Sequence, residues 1–101
     1  MIEVKIKSTK EKITIILKGH SNYSKKGEDI VCAGVSGVLQ FLIIHLFNNL
    51  KRKGKFSLSH GKGFIEIMKE ENDTKIIDSF VEYLEITSKS YPGTISITKF
   101  S

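Results

Sequence analysis

Cys32 is the only cysteine in the chain, and its surroundings mark it as a candidate nucleophile. A cysteine most often packs as a small hydrophobe. This one stands three residues after Asp29, a residue type that caps helices. A helix capped there places Cys32 in its first turn, beside unpaired backbone N–H groups and the positive end of the helix dipole. That setting favours the thiolate, which is the reactive form. The Asp29 charge opposes the effect unless capping engages it. His20 is the natural partner. It follows Gly19, and eleven residues separate it from Cys32, enough for the chain to fold back. A thiol and an imidazole are the minimum equipment for covalent acyl transfer. The imidazole takes the thiol proton and later protonates the leaving amine, while first-turn N–H groups receive the developing oxyanion. Ser36, four residues beyond Cys32, shares its helical face. It either bonds back to the helix backbone or lines the cleft beside the thiol.

The remaining polar residues offer less. His45 lies among apolar residues and reads as a packed helical side chain, and His60 reads as a turn residue. Cys32, His45 and His60 lack the short paired spacings of a zinc site, so no metal is expected. Gly61-Lys62-Gly63 is too short to cradle a phosphate and suits a hairpin turn. No carboxylate dyad stands out, and no cofactor is expected.

The elements that must position the pair follow from periodicity. Ile2, Val4 and Ile6 alternate with charged residues, and Ile13, Ile15 and Leu17 repeat the pattern after a polar turn at Ser8 to Lys12. These form a hairpin of half-buried strands that ends at Gly19, with Ile16 breaking the alternation toward fuller burial. His20 to Glu28 is polar and reads as a mobile loop. From Asp29 the pattern is helical, with Val35, Leu39, Leu42, Leu46 and Leu50 in one stripe. Phe41, Ile44 and Phe47 fall on other faces, so the helix expects burial on a second side, such as a partner subunit. Gly34 and Gly37 each cost such a helix roughly 1 kcal/mol against alanine and point to close approach by neighbouring backbone. Basic residues and Gly54 in Lys51 to Lys55 end the helix. Phe56, Leu58, Phe64, Ile65 and Ile67 make a second hairpin. Asn72 or Asp73 caps a second helix with Ile76, Ile77, Phe80, Val81 and Leu84 on one face. Tyr91-Pro92-Gly93 stops it, and Ile95 and Ile97 make a last strand. The expected class is α+β: two layers, a mainly antiparallel sheet with two helices on one face, in the order β-β-α-β-β-α-β.

Composition bounds the functional classes. The 101 residues suit one domain, 1–101, and are 40% hydrophobic and 27% charged, an ordinary globular mixture. A single cysteine excludes an intramolecular disulfide and a four-cysteine zinc site. The first ten residues show no hydrophobic signal core. The longest apolar run, Val38 to Phe47, is broken by Gln40 and His45 and is about half the roughly 20 residues a membrane span needs. These features point to a cytoplasmic protein without a membrane partner. Sixteen basic against 11 acidic residues give a net charge of +5. Fifteen of the sixteen are lysine, and Arg52 is the lone arginine. Base edges are usually gripped by the arginine fork, so no sequence-specific nucleic-acid partner is expected. A lysine surface suits solubility or loose attraction to an anionic assembly.

Gly19-His20-Ser21, followed by Gly27-Glu28-Asp29-Ile30-Val31-Cys32-Ala33-Gly34-Val35-Ser36, resembles the motif of the ribosomal-processing cysteine protease family, Prp. The motif covers about a fifth of the chain, and the family's element order and domain size match the rest. The resemblance implies that Cys32 is the nucleophile and His20 the base, with Asp29, Ser36 and Gly19 supporting the site. It implies a peptide substrate, the N-terminal extension of the precursor of large-subunit ribosomal protein twenty-seven, cut after an aromatic residue in a short apolar segment. It also implies a homodimer. The competing reading is a non-catalytic ribosome- or RNA-associated binding module that uses the lysines.

Overall fold

The structure, a computed structural model, describes residues 1–19 and 25–100, except for the side chains of 25–29. The strands are β1 (Ile2–Ser8), β2 (Lys12–Gly19), β3 (Gly54–Ser59), β4 (Lys62–Met68) and β5 (Ile95–Phe100). The helices are α1 (Lys25–Ile43), continued by a π-helical turn over Ile44–Asn49, and α2 (Asp73–Ser90). The five strands form one sheet in the order β3-β4-β2-β1-β5. Every neighbouring pair is antiparallel except β1 with β5, which run parallel. The expected α+β class and element order therefore hold, and the sheet is mixed.

Alternation decides which face of the sheet is covered. Ile2, Val4, Ile6, Ile13, Ile15, Leu17, Ile65 and Ile67 are buried, while Glu3, Lys5, Lys7 and Lys18 between them are exposed. In a strand these two sets point to opposite faces. Val31, Val35, Leu39, Leu42 and Leu46 of the first helix and Phe80, Val81 and Leu84 of the second join the same core. Ile16 is only half-buried because its position in the alternation turns it to the open face, opposite Phe64. Leu50 is 47% exposed, since the helix has ended at Asn49. Lys51 then takes the left-handed conformation, with φ of 52°.

Three local expectations change. The helix begins at Lys25 rather than at Asp29, so part of the expected loop is helical. Asn72 occupies the N-cap position of α2 but makes no side-chain cap bond. Asp73 is engaged elsewhere: its carboxylate accepts from both terminal nitrogens of Arg52, at 2.8 and 2.7 Å, and from the Glu70 backbone N–H at 2.7 Å. Gly34 admits the Tyr83 hydroxyl rather than backbone, for an added Cβ would stand 2.7 Å from it, and Gly37 faces open space.

Ile30–Asn49 is long and apolar enough to cross a membrane by length and composition, a longer stretch than Val38 to Phe47. In this fold one stripe of it packs on the sheet. Phe41 and Ile44 on its outer side are 69% and 49% exposed.

Candidate active site

Cys32 lies in the third turn of α1, because that helix starts seven residues earlier. The first-turn N–H groups and the dipole end are therefore out of its reach, since the dipole effect fades within a turn. Cys32 is half-buried and packs against the core on one side. On the other it lines a groove of about 380 Å³ between α1 and the β3–β4 hairpin.

Five elements build this groove, with β1 contributing Ile2. From α1 come Cys32, Ser36 and Gln40, spaced four apart and so stacked along one helical face. The end of β2 supplies Gly19, and the hairpin supplies Leu58, Ser59 and the turn at His60-Gly61. The helix can lie this close because β4 has Gly63 beneath it. A Cβ there would collide with Leu39.

Gly19 ties the groove together. Its backbone N–H donates to the Gly61 carbonyl at 2.9 Å, which joins the exit of β2 to the hairpin tip. Its φ is +97°, and an added Cβ would stand 2.5 Å from the Met1 carbonyl oxygen. Glycine is required here for both reasons. The residue that follows, His20, lies outside the described residues, as does the side chain of Asp29. Gly19 is the last described residue before His20.

The structure thus brings Cys32, Ser36 and Gly19 to one groove. It also places His60 there, a residue whose local sequence shows only a turn. Its location follows only from the strand order, which sets the β3–β4 turn beside the end of β2. His45 is elsewhere, with its ring stacked on Phe41 at 6.3 Å between centroids. Among the described residues no group of three or more histidine, cysteine or acidic side chains is arranged to hold a metal. A second cleft, about 280 Å³, lies at the other end of the sheet among Ile6, Ile13 and Ile77, and among the described residues neither thiol nor imidazole lines it.

No curated protein matches the chain. Solved structures do. A crystal structure of the essential ribosomal processing protease Prp from S. aureus, in complex with a covalently linked product peptide, is 23% identical. It superposes with a TM-score of 0.72, over 98% of this chain and 99% of that one. The same protease in complex with a substrate peptide gives 22% identity and a TM-score of 0.66, with 98% and 99% covered. A Streptococcus mutans protein, SMU.848, gives 20% and 0.65, with 99% and 94% covered. At these identities the likeness establishes the fold. The family described as cysteine protease Prp matches residues 1–96. Nearly the whole chain, groove and cysteine included, falls within that match, and the protein belongs to the cysteine protease Prp family.

Proposed function

We propose that the protein is an endopeptidase of narrow specificity in which Cys32 is the nucleophile and His20 its base. The observation that carries this reading is that the only thiol of a cysteine-protease chain opens onto a groove. His20 takes the thiol proton, and the thiolate attacks the scissile carbonyl carbon. The tetrahedral intermediate collapses, the C–N bond breaks, and the imidazolium gives its proton to the leaving amine. Water, deprotonated by His20, then hydrolyses the thioester and frees Cys32. Ser36 and Gln40, on the same helical face, are side-chain donors placed to hold the oxyanion or the peptide backbone. Gly19 and Asp29 support the site in this reading.

The substrate in this reading is the N-terminal extension of the precursor of large-subunit ribosomal protein twenty-seven. Support comes from the motif around His20 and Cys32 and from the S. aureus protease, whose structure carries a covalently linked product peptide. The protein acts in the cytoplasm as a homodimer. Exposed Phe41, Ile44 and Ile30 on the outer side of α1 and the π-helical turn supply the apolar face for a second copy. The non-catalytic RNA-binding reading gives way to the family match.

The test is cleavage of a synthetic peptide copying that extension, by wild type beside Cys32→Ala. Cleavage by wild type alone is expected. Equal cleavage by both proteins would remove Cys32 from the mechanism.

A further inference from the structure

Strand β3 forms one border of the sheet and, among the described residues, pairs only with β4. All six of its residues are exposed. Native proteins usually blunt such borders with proline, bulges or charge, because unpaired N–H and C=O groups invite another strand. β3 has no proline and one charged residue, Lys55, near its start. Phe56 and Leu58 stand opposite Ile65 and Gly63, two positions buried on the helix side of the sheet. Their side chains therefore point toward the helix layer, yet they remain 48% and 41% exposed. Among the described helical residues only Phe47 of the π-helical turn reaches over Phe56 with a ring contact, and Phe56 and Leu58 together form a partly bare apolar shelf.

The shelf runs into the active site. Leu58 and Ser59 line the Cys32 groove, and His60 continues it. At the other end the Phe47 ring meets Phe56 at 4.6 Å between centroids. An extended peptide repeats its side chains on one face about every 6.7 Å, the spacing of Phe56 and Leu58 along β3. Backbone pairing supplies affinity in this mode, and pockets for alternate side chains supply specificity.

We infer that the free border of β3 is the substrate-docking strand. An extended apolar peptide adds there as a sixth strand, seats two alternate apolar side chains on Leu58 and Phe56, and so delivers its scissile bond to Cys32. This rests on the assignment of Cys32 as nucleophile, but binding can be read without turnover.

The experiment uses the full chain carrying Cys32→Ala and a fluorescent synthetic copy of the ribosomal-protein extension, read by anisotropy. Phe56→Thr and Leu58→Thr keep strand propensity. Each is expected to weaken binding at least about fivefold through lost apolar contact. Each should also raise KM in the Cys32 protein while kcat is kept. N-methylation of successive peptide amides should impair binding at every second position only, because a strand turns alternate N–H groups toward its neighbour. Circular dichroism checks that the variants fold. Binding indifferent to both substitutions, or N-methyl effects without a period of two, would overturn the inference. A dimer that dissociates in Phe56→Thr would show that a second copy, not a peptide, occupies the strand. Normal binding with no cleavage by wild type would leave the docking strand standing and sink the nucleophile assignment instead.

Discussion

Two groups of polar side chains lie along the long first helix, and the two are built in opposite ways. Beyond its C-terminus, Arg52 and Asp73 are almost fully buried and bonded to each other through two parallel contacts. Arg52 also donates to the Met68 carbonyl at 2.8 Å, and its Nε lies 3.1 Å from Glu70, an ion pair without hydrogen-bond alignment. Hydrogen bonds from Arg52 hold the Asp73 carboxyl below its usual range, against the opposing effect of burial. The same bonds raise the Arg52 guanidinium above its ordinary value. Bidentate pairs of this kind are geometrically specific, and little capacity is left for a ligand. Nearer the N-terminus, Ser36 is half-buried and Gln40, His60 and Lys62 are exposed, all facing the groove. The first region fixes the chain; the second leaves its chemistry available, on a backbone fixed by Gly19, Gly61 and Gly63.

If that contrast is right, stability and turnover separate by region. The largest effect is expected at the groove. Cys32→Ala should lower peptide cleavage by at least about 10³-fold while the urea midpoint hardly moves. A large loss of stability would mean that the cysteine is mainly core. Next comes the lock. Arg52→Ala leaves a buried carboxylate unpaired and should cost about 3–5 kcal/mol in urea unfolding, with kcat retained in the folded fraction. A loss below about 1 kcal/mol would show that the pair is solvated in solution. Gly19→Ala sits between the regions. The left-handed backbone should cost about 1–3 kcal/mol and, unlike Arg52→Ala, should also lower kcat, because the start of His20 moves.

Acid sharpens the contrast further. Asp73 has a lowered folded-state pKa, so its contribution is present above its unfolded value near 4 and lost as pH falls through the lower folded value. The urea midpoint of wild type should therefore fall more steeply below about pH 4 than that of Asp73→Asn. Parallel slopes would remove Asp73 from acid unfolding. The smallest effect belongs to neither region: Gly37→Ala, with open space around the added methyl, should stabilise by up to about 1 kcal/mol.

Much of this was legible in the sequence, because strand alternation and the helical stripe encode which face is buried. β1, β2 and β4 follow from isoleucine spacing alone. The start of α1 was hidden: Lys25-Lys26-Gly27-Glu28 has the composition of a loop and no apolar position to show a period. The π-helical turn was hidden too, since Leu46 fits an α stripe equally well. Arg52 and Asp73 are 21 residues apart, and no local rule joins them. His60 was assigned correctly to a turn, but its nearness to Cys32 depends on which strands are neighbours, and periodicity does not encode that. The spacing of four puts Ser36 on the helical face of Cys32, and both line the groove.

The parallel partner of β1 has one more consequence. Ile2 pairs with Gly19 on one side and with Ile95 on the other, so one flank closes locally while the opposite flank waits for a distant segment. During synthesis the nascent hairpin must stand with that flank bare until more than ninety residues have been made. Long-range pairings of this kind set folding speed, and unpaired strands are where newborn chains associate wrongly. The central sheet of the enzyme is complete on that flank only once β5 has docked.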